Sequence, residues 1–332
     1  TDDDRGILPN NPYFNELRAN RDSIVLFTDA SNPAPMLHFT GKFVTSNQLS
    51  FTDIDFIYNQ PEGTFHSDDI YVNNSRVTNS NIFCKNGFVH QVDKVLVPLD
   101  NMSEIIRKSP KMSIFSSIIE RFAAPKDSIN LRETYNLNKG TDFDTVFSDR
   151  SFGSTMATST PFMYDKNGNT FDGALKFDPG WNGYIPEIAN DRQPMMEDFA
   201  IMLVPSDEAI RQWWNGGVIE KYYGTIENTP SSVLDDLVRV NQIQAFTSSV
   251  PSKFDAVLND ANEPIGITKE DVDSVFLGCN GLVFLTNKVF APASYSSVLF
   301  PAVIDKSRFT VMDNVITPMN YNYYLNSMVS RF

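Results

Sequence analysis

The side chains that could do chemistry here are mostly acids. Three close pairs stand out: Asp53/Asp55, Asp235/Asp236 and Asp271/Asp273. Two carboxylates can share acid and base work in glycoside hydrolysis, if they face each other at the required separation. In a chain of net charge −14, such pairs are expected on solvated faces. Asp165, Asn167 and Asn169 alternate as calcium-loop ligands do. Thr170, however, stands where that loop needs Gly, and Lys176 where it needs a bidentate Glu. Asn167-Gly168 reads instead as the turn of a β-hairpin spanning Phe162 to Phe171. His38, His66 and His90 are the only histidines. They form no zinc pattern with the two cysteines. No phosphate-cradling Gly-rich loop and no nucleophile elbow occur. The sequence therefore predicts no catalytic residues, no metal and no cofactor.

Composition narrows the partners. An acidic chain with pI about 4.6 lacks the basic face that nucleic acid requires. It is equally unsuited to electrostatic docking on anionic lipid. No apolar run is long enough to span a bilayer. Attachment to a membrane would need an upstream lipid anchor, and the sequence opens at Thr1 without Met, so any signal peptide or anchor would lie before it. The length of 332 residues predicts about two domains.

Positioning falls to an internal repeat. Asn86-Gly-Phe-Val-His-Gln-Val-Asp-Lys-Val-Leu-Val-Pro98 recurs as Asn280-Gly-Leu-Val-Phe-Leu-Thr-Asn-Lys-Val-Phe-Ala-Pro292. Asn86/Asn280, Gly87/Gly281, Val89/Val283, Lys94/Lys288, Val95/Val289 and Pro98/Pro292 align at a constant offset of 194 residues. Asn-Gly is a hairpin turn signal, the apolar run behind it is a strand, and Pro ends the strand because it cannot donate to a ladder. Each copy thus reads as the last hairpin of a domain. Cys84 and Cys279 precede the turns at near-equivalent places, which predicts two unpaired thiols.

Asn86–Pro98, with His90, Asp93 and Lys94, resembles the closing signature of the fasciclin (FAS1) family, Asn-Gly-Val-Ile-His-Val-Ile-Asp-Lys-Val-Leu-Leu-Pro. Ile70–Val77 is similar to that family's penultimate strand. Leu203-Val-Pro205-Ser206-Asp207-Glu208-Ala-Ile210 resembles its other signature, Phe-Ala-Pro-Thr-Asp-Glu-Ala-Phe. The resemblance implies an α+β fold of tandem FAS1-like domains, each a β-sheet wedge covered by helices. Residues 1–98 are expected to be the C-terminal part of one domain, or a divergent one, because no Pro-Thr-Asp-Glu element is found before Pro98. Residues 99–292 are the second domain, with a long β-rich insertion at about 125–198. Residues 293–332 are a helical appendix or the start of a further domain. The resemblance also implies a non-catalytic extracytoplasmic adhesion or binding protein of the cell surface or outer membrane, otherwise periplasmic. Its partner would be a protein or a glycan. An accessory surface lipoprotein of an outer-membrane nutrient-uptake complex is the second reading. A hydrolase using acids of the insertion is the third. His38 resembles the His of the family's Tyr-His adhesion motif, with Leu37 in place of the Tyr. Four tripeptides, Asp22-Ser-Ile, Asp127-Ser-Ile, Asp144-Thr-Val and Asp273-Ser-Val, resemble the O-glycosylation motif of exported Bacteroidota proteins.

The remaining elements follow from local pattern. Strands are expected at Ser23–Thr28, Phe199–Val204, Ile243–Val250 and within Asp273–Pro292. Helices are expected at Asn101–Lys108, Lys111–Ala124, from Ser206 to about Asn215, and from Ser231 to Val240. Asp207 and Glu208 fall in a first helical turn, where the dipole favours acids. The insertion concentrates aromatics, and Tyr164, Phe177, Trp181 and Tyr184 are the expected partner contacts.

Overall fold

The computed structural model describes residues 36–127, 129–144, 146–151, 200–243, 246–259 and 263–296, with short further stretches that include 26–27. The hairpin at Phe162–Phe171, the residues Asp165, Asn167, Asn169 and Lys176, and the aromatics Tyr164, Phe177, Trp181 and Tyr184 lie outside the described residues. So does most of 293–332.

The first repeat copy closes a four-stranded antiparallel sheet. After β1 (Leu26–Phe27) come β2 (His38–Thr40), β3 (Ile70–Val72), β4 (Ser75–Cys84) and β5 (Gly87–Val92), and β2 to β5 pair in chain order. Two helices, α1 (Gly41–Ser46) and α2 (Phe51–Ile57), connect β2 to β3. Thr40 caps α1 by accepting from the Phe43 N–H, and Ser50 with Asp53 forms a capping box on α2. The mixed apolar stretch from Pro35 to Tyr58 is thus mainly helical.

The second copy lies in a mixed sheet buried on both faces. Across the Pro98–Asn101 linker come α3 (Met102–Lys108) and α4 (Ser113–Ile119), separated at Pro110 as expected. The remainder of the predicted second helix tightens into a 3₁₀ turn, Glu120–Phe122, and then becomes β6 (Ala123–Asp127). α5 (Ile129–Lys139) and β7 (Phe147–Ser151) follow. β7 pairs antiparallel with β6 and parallel with β1, so the base of the insertion is tied to the N-terminal region. α5 places a helix at the base of the stretch expected to be β-rich.

Next come β8 (Ala200–Pro205), α6 (Asp207–Trp214), α7 (Val218–Tyr223), α8 (Ser231–Val240), β9 (Gln242–Ile243), β10 (Val272–Gly278) and β11 (Gly281–Thr286). Their sheet order is β10-β11-β8-β9, with β11 and β8 parallel. Every residue of β8 and of β11 is buried, as near-continuous apolar runs in a doubly covered sheet require. The expected strand after Ile243 is instead 3₁₀ turns at Phe246–Ser248 and Pro251–Ala256.

The two faces of this sheet build two cores. Met202, Val204, Val283 and Leu285 meet α3, α4, α6 and α8 through Met102, Phe115, Ile210 and Leu234. On the other face Ile201, Leu203, Leu282 and Phe284 meet Phe39, Val44, Ile54, Ile57 and Phe65. The second core therefore draws on both sides of Pro98. Polar anchors follow the same path. Asn59 accepts from the Val275 N–H at 2.8 Å and donates to its C=O at 2.7 Å. Lys253 donates to the carbonyls of Asn47 and Thr247.

One buried acid sets a pH dependence. Asp235 on α8 pairs with Arg239, while its Oδ1 has no hydrogen-bond partner among the described residues. Burial pushes its carboxyl up to about 6, against the lowering effect of Arg239. The folded state then binds a proton more tightly than the unfolded chain. The stabilising contribution is complete below about pH 4 and is lost as pH rises through about 6. Asp235→Asn should match wild type near pH 4 and exceed it by about 2 kcal/mol at pH 7. Urea titrations at both pH values measure this; equal differences at the two would refute it.

Candidate functional site

Of the acid pairs, Asp53, Asp55 and Asp271 hold main-chain donors, while Asp236 and Asp273 are exposed. Asp53 accepts from the Ser50 N–H at 2.7 Å, the Ser252 N–H at 2.9 Å and the Ser252 hydroxyl at 2.6 Å. Asp55 accepts from the N–H groups of Gly63 and Phe65, both at 2.7 Å. Asp271 accepts from Thr268 and bridges to Lys288 at 2.7 Å. Such carboxylates are committed to main-chain donors. Among the described residues, no three His, Cys, Asp or Glu side chains gather as a metal would need. Cys84 and Cys279 are free thiols, and burial pushes Cys279 up to about 11.

The signature residues shape two hairpins. The two-residue turns are Lys85-Asn86 and Cys279-Asn280, and Gly87 and Gly281 are the first strand residues, paired with Cys84 and Gly278. This corrects the reading of Asn-Gly as the turn itself. Asn280 earns its place by accepting from the Met102 N–H at 2.9 Å, which ties the hairpin to the start of α3. Gly281 is needed for close approach: a Cβ there would lie 2.5 Å from the Ala200 carbonyl oxygen. His90 is exposed, and its Nδ1 accepts from the Asn81 N–H at 3.2 Å beside an irregularity in β4. It supports the bulge and does not pack a core. Asp93 accepts from the Arg76 N–H at 2.8 Å and donates its own N–H to the Arg76 carbonyl. Lys288 donates to the Gly266 carbonyl and lies 5.0 Å from the centre of the Phe290 ring. The C=O of buried Pro292 accepts from the Tyr295 N–H.

The second signature is also more than a first-turn acid. Pro205 ends β8, and Ser206 caps α6 by accepting from the Ala209 N–H at 3.2 Å. Asp207 is buried and accepts from the Ile114 N–H at 2.8 Å and from the Ser113 hydroxyl. It therefore satisfies an orphan donor at the start of α4 from across the core. Glu208 is exposed and accepts from Gln212.

Where the first copy leaves its sheet, a cleft opens. It encloses about 610 Å³, in the range of small-ligand sites. One wall is the Lys94–Asp100 segment; the opposite wall is Val275, Phe276 and Leu277 of β10. Val95 and Val97 are 85% and 63% exposed, and Phe276 is partly exposed. The floor is polar. Asn73 sits in the two-residue β3–β4 turn with φ +49 and accepts from the Leu37 N–H at 2.9 Å. Its carbonyl accepts from the Tyr58 hydroxyl at 2.5 Å. Burial, and then neighbouring Tyr71, hold the Tyr58 phenol well above its ordinary range, so it stays a neutral donor. Asn59, Asn74, Ser75 and Asp100 add polar lining, Ile57 and Ile105 add apolar lining, and Asp100 pairs with Lys108 at 2.9 Å. Apolar walls over an amide floor suit binding. No histidine lines the cleft.

Residues 7–98 match the fasciclin domain model. The fasciclin match takes in β2 to β5, both helices between them, and the Lys94–Pro98 wall of the cleft. No curated protein is detectably similar to the chain. The matched range ends at Pro98, where the closing signature ends. The match does not extend over residues 99–292, which carry the second repeat copy, Asn280–Pro292. Among the described residues, no helix is long and apolar enough to cross a membrane. Sequence reasoning missed the cleft, because its walls come from segments almost 180 residues apart. Asn73-Asn74 was its one legible signal, as a turn between two strands.

Proposed function

We propose that the chain is a non-catalytic binding protein of tandem fasciclin type, working outside the cytoplasm at a cell surface. The fasciclin match over residues 7–98 carries this reading. The partner is a protein or glycan segment that lays apolar groups on Val95, Val97 and Phe276 and turns hydrogen-bonding groups to the exposed Asn74. Tyr164, Phe177, Trp181 and Tyr184 are proposed as further contacts on the same partner. Surface attachment through an upstream lipid anchor belongs to this proposal.

Peptide and glycan arrays probed with the full chain test it. Val95→Asp with Phe276→Ser should weaken the binding found there at least tenfold per folded molecule. Val95 lies mostly in solvent, whereas Phe276 is largely covered, so the fraction folded is measured alongside binding. Array binding untouched by the pair would remove the cleft from the proposal. Turnover of an array substrate would overturn the non-catalytic reading itself.

A further inference from the structure

The outer edge of β10 is taken at two places and open between them. Asn59 accepts from the Val275 N–H and donates to the Val275 C=O. The Asp100 carbonyl accepts from the Cys279 N–H at 2.9 Å. Main-chain groups on one side of an antiparallel strand recur at every second residue. The Asn59 contact fixes the phase, so the N–H and C=O of Leu277 point outward as those of Val275 do. They carry no hydrogen bond among the described residues. Beyond them is open space, because Leu277 lines the cleft of about 610 Å³. Both faces of the strand are apolar at this point. Phe276 lies on the face of its ladder partner Val283, beside Ile105, and Leu277 lies on the other face with Leu99. The opposite wall adds Val95, Val97 and a cation: Lys94 is exposed and makes no ion pair among the described residues.

We propose that the cleft takes an extended peptide as an added strand on β10, with one N–H and one C=O of the peptide bonded to Leu277. The proposal rests on the cleft being the site of binding, and it names the partner's chemistry. A donor and an acceptor held side by side on a strand edge match peptide main chain, as in other cases of strand addition. A sugar ring presents hydroxyls at varied angles and has no group spaced for that pair. The peptide's side chains alternate between the Phe276 face and the Leu277 face, so apolar residues suit both. An acidic residue of the peptide reaches Lys94, a favourable contact on a chain of net charge −14 that otherwise repels acids. Asn59 and Asp100 bound the pairing on either side of Leu277, so the added strand is short.

Hydrogen exchange and a peptide library test this on the full chain. In the free chain the Leu277 N–H should exchange at least tenfold faster than the Val275 N–H, which Asn59 holds. Acetylated, amidated hexapeptides in a positional library should bind, with Asp or Glu enriched towards one end. The best hexapeptide should slow Leu277 exchange at least tenfold. Its N-methylation, one residue at a time, should cost at least tenfold at one residue and little at the two beside it. Lys94→Glu, at an exposed position, should turn the acidic preference into one for Lys or Arg. A Leu277 N–H that is slow in the free chain, or unchanged by the bound hexapeptide, would overturn the proposal. An acidic preference that survives Lys94→Glu would overturn the part assigned to that residue. Oligosaccharides that bind and are lost with Val95→Asp, where no hexapeptide binds, would overturn the peptide while keeping the cleft as the binding site. Binding of neither class that responds to Val95→Asp would remove the cleft itself.

Discussion

Replacing Phe284 with alanine is expected to cost about 3–5 kcal/mol, the largest loss from a single truncation in this fold. Phe284 is fully buried in the centre of β11. Its ring meets Phe56 edge-on at 5.6 Å and Phe254 at 6.5 Å, so the cavity would open where the two sides of Pro98 join. Two segments that share a core should melt together. The variant should therefore lower one common transition, seen by tryptophan fluorescence on α6 and by exchange of amides in β2 to β4. Loss of signal from α6 alone, with β2 to β4 still protected, would show that the two sides unfold independently.

Asp53→Ala is expected to follow, at about 2–4 kcal/mol, because it leaves buried donors without acceptors. The carboxylate is fully buried and holds the start of α2 to the 3₁₀ turn at Pro251–Ala256 through Ser50 and Ser252. Asn is no full substitute. It keeps one acceptor oxygen and turns an NH₂ donor towards an N–H. Ser252→Ala removes the hydroxyl partner but keeps the two main-chain donors satisfied. Chemical denaturation should rank the losses as Asp53→Ala, then Asp53→Asn, then Ser252→Ala. A loss for Asp53→Ala no larger than for Ser252→Ala would mean that the main-chain bonds contribute little.

Much of the second sheet was legible because its signals are local. Phe199–Val204 is an apolar run ended by Pro and a capping Ser, and β8 with α6 follow that reading to within a residue. Ser231–Val240 and Asn101–Lys108 were legible for the same reason. The failures came where distant contacts decide. Pro35–Tyr58 lacks a clean period, and its helices are fixed by caps and by burial against β8 and β11. Ile243–Val250 has strand composition but forms 3₁₀ turns, since Phe246, Val250 and Phe254 must all reach one core. The role of Asp207 looked complete from its place in the first turn of α6. Its bonds to Ser113 and Ile114 cross more than ninety residues, and no periodicity announces them. The cleft was hidden for the same reason.

Asn59 lies on the outer side of β10, the edge strand of the buried sheet among the described residues. Its side chain satisfies both peptide groups of Val275, and two pairs further along the carbonyl of Asp100 takes the N–H of Cys279. A bare edge strand of Val-Phe-Leu character is a template for pairing between molecules. Asn59, with φ +51, closes that template by mimicking the next strand for one residue and then turning away. Its side chain thus occupies the one free donor and acceptor of Val275. Concentrated solutions of a variant lacking that amide would gain a nucleus for ordered aggregation, even where its melting temperature had barely moved.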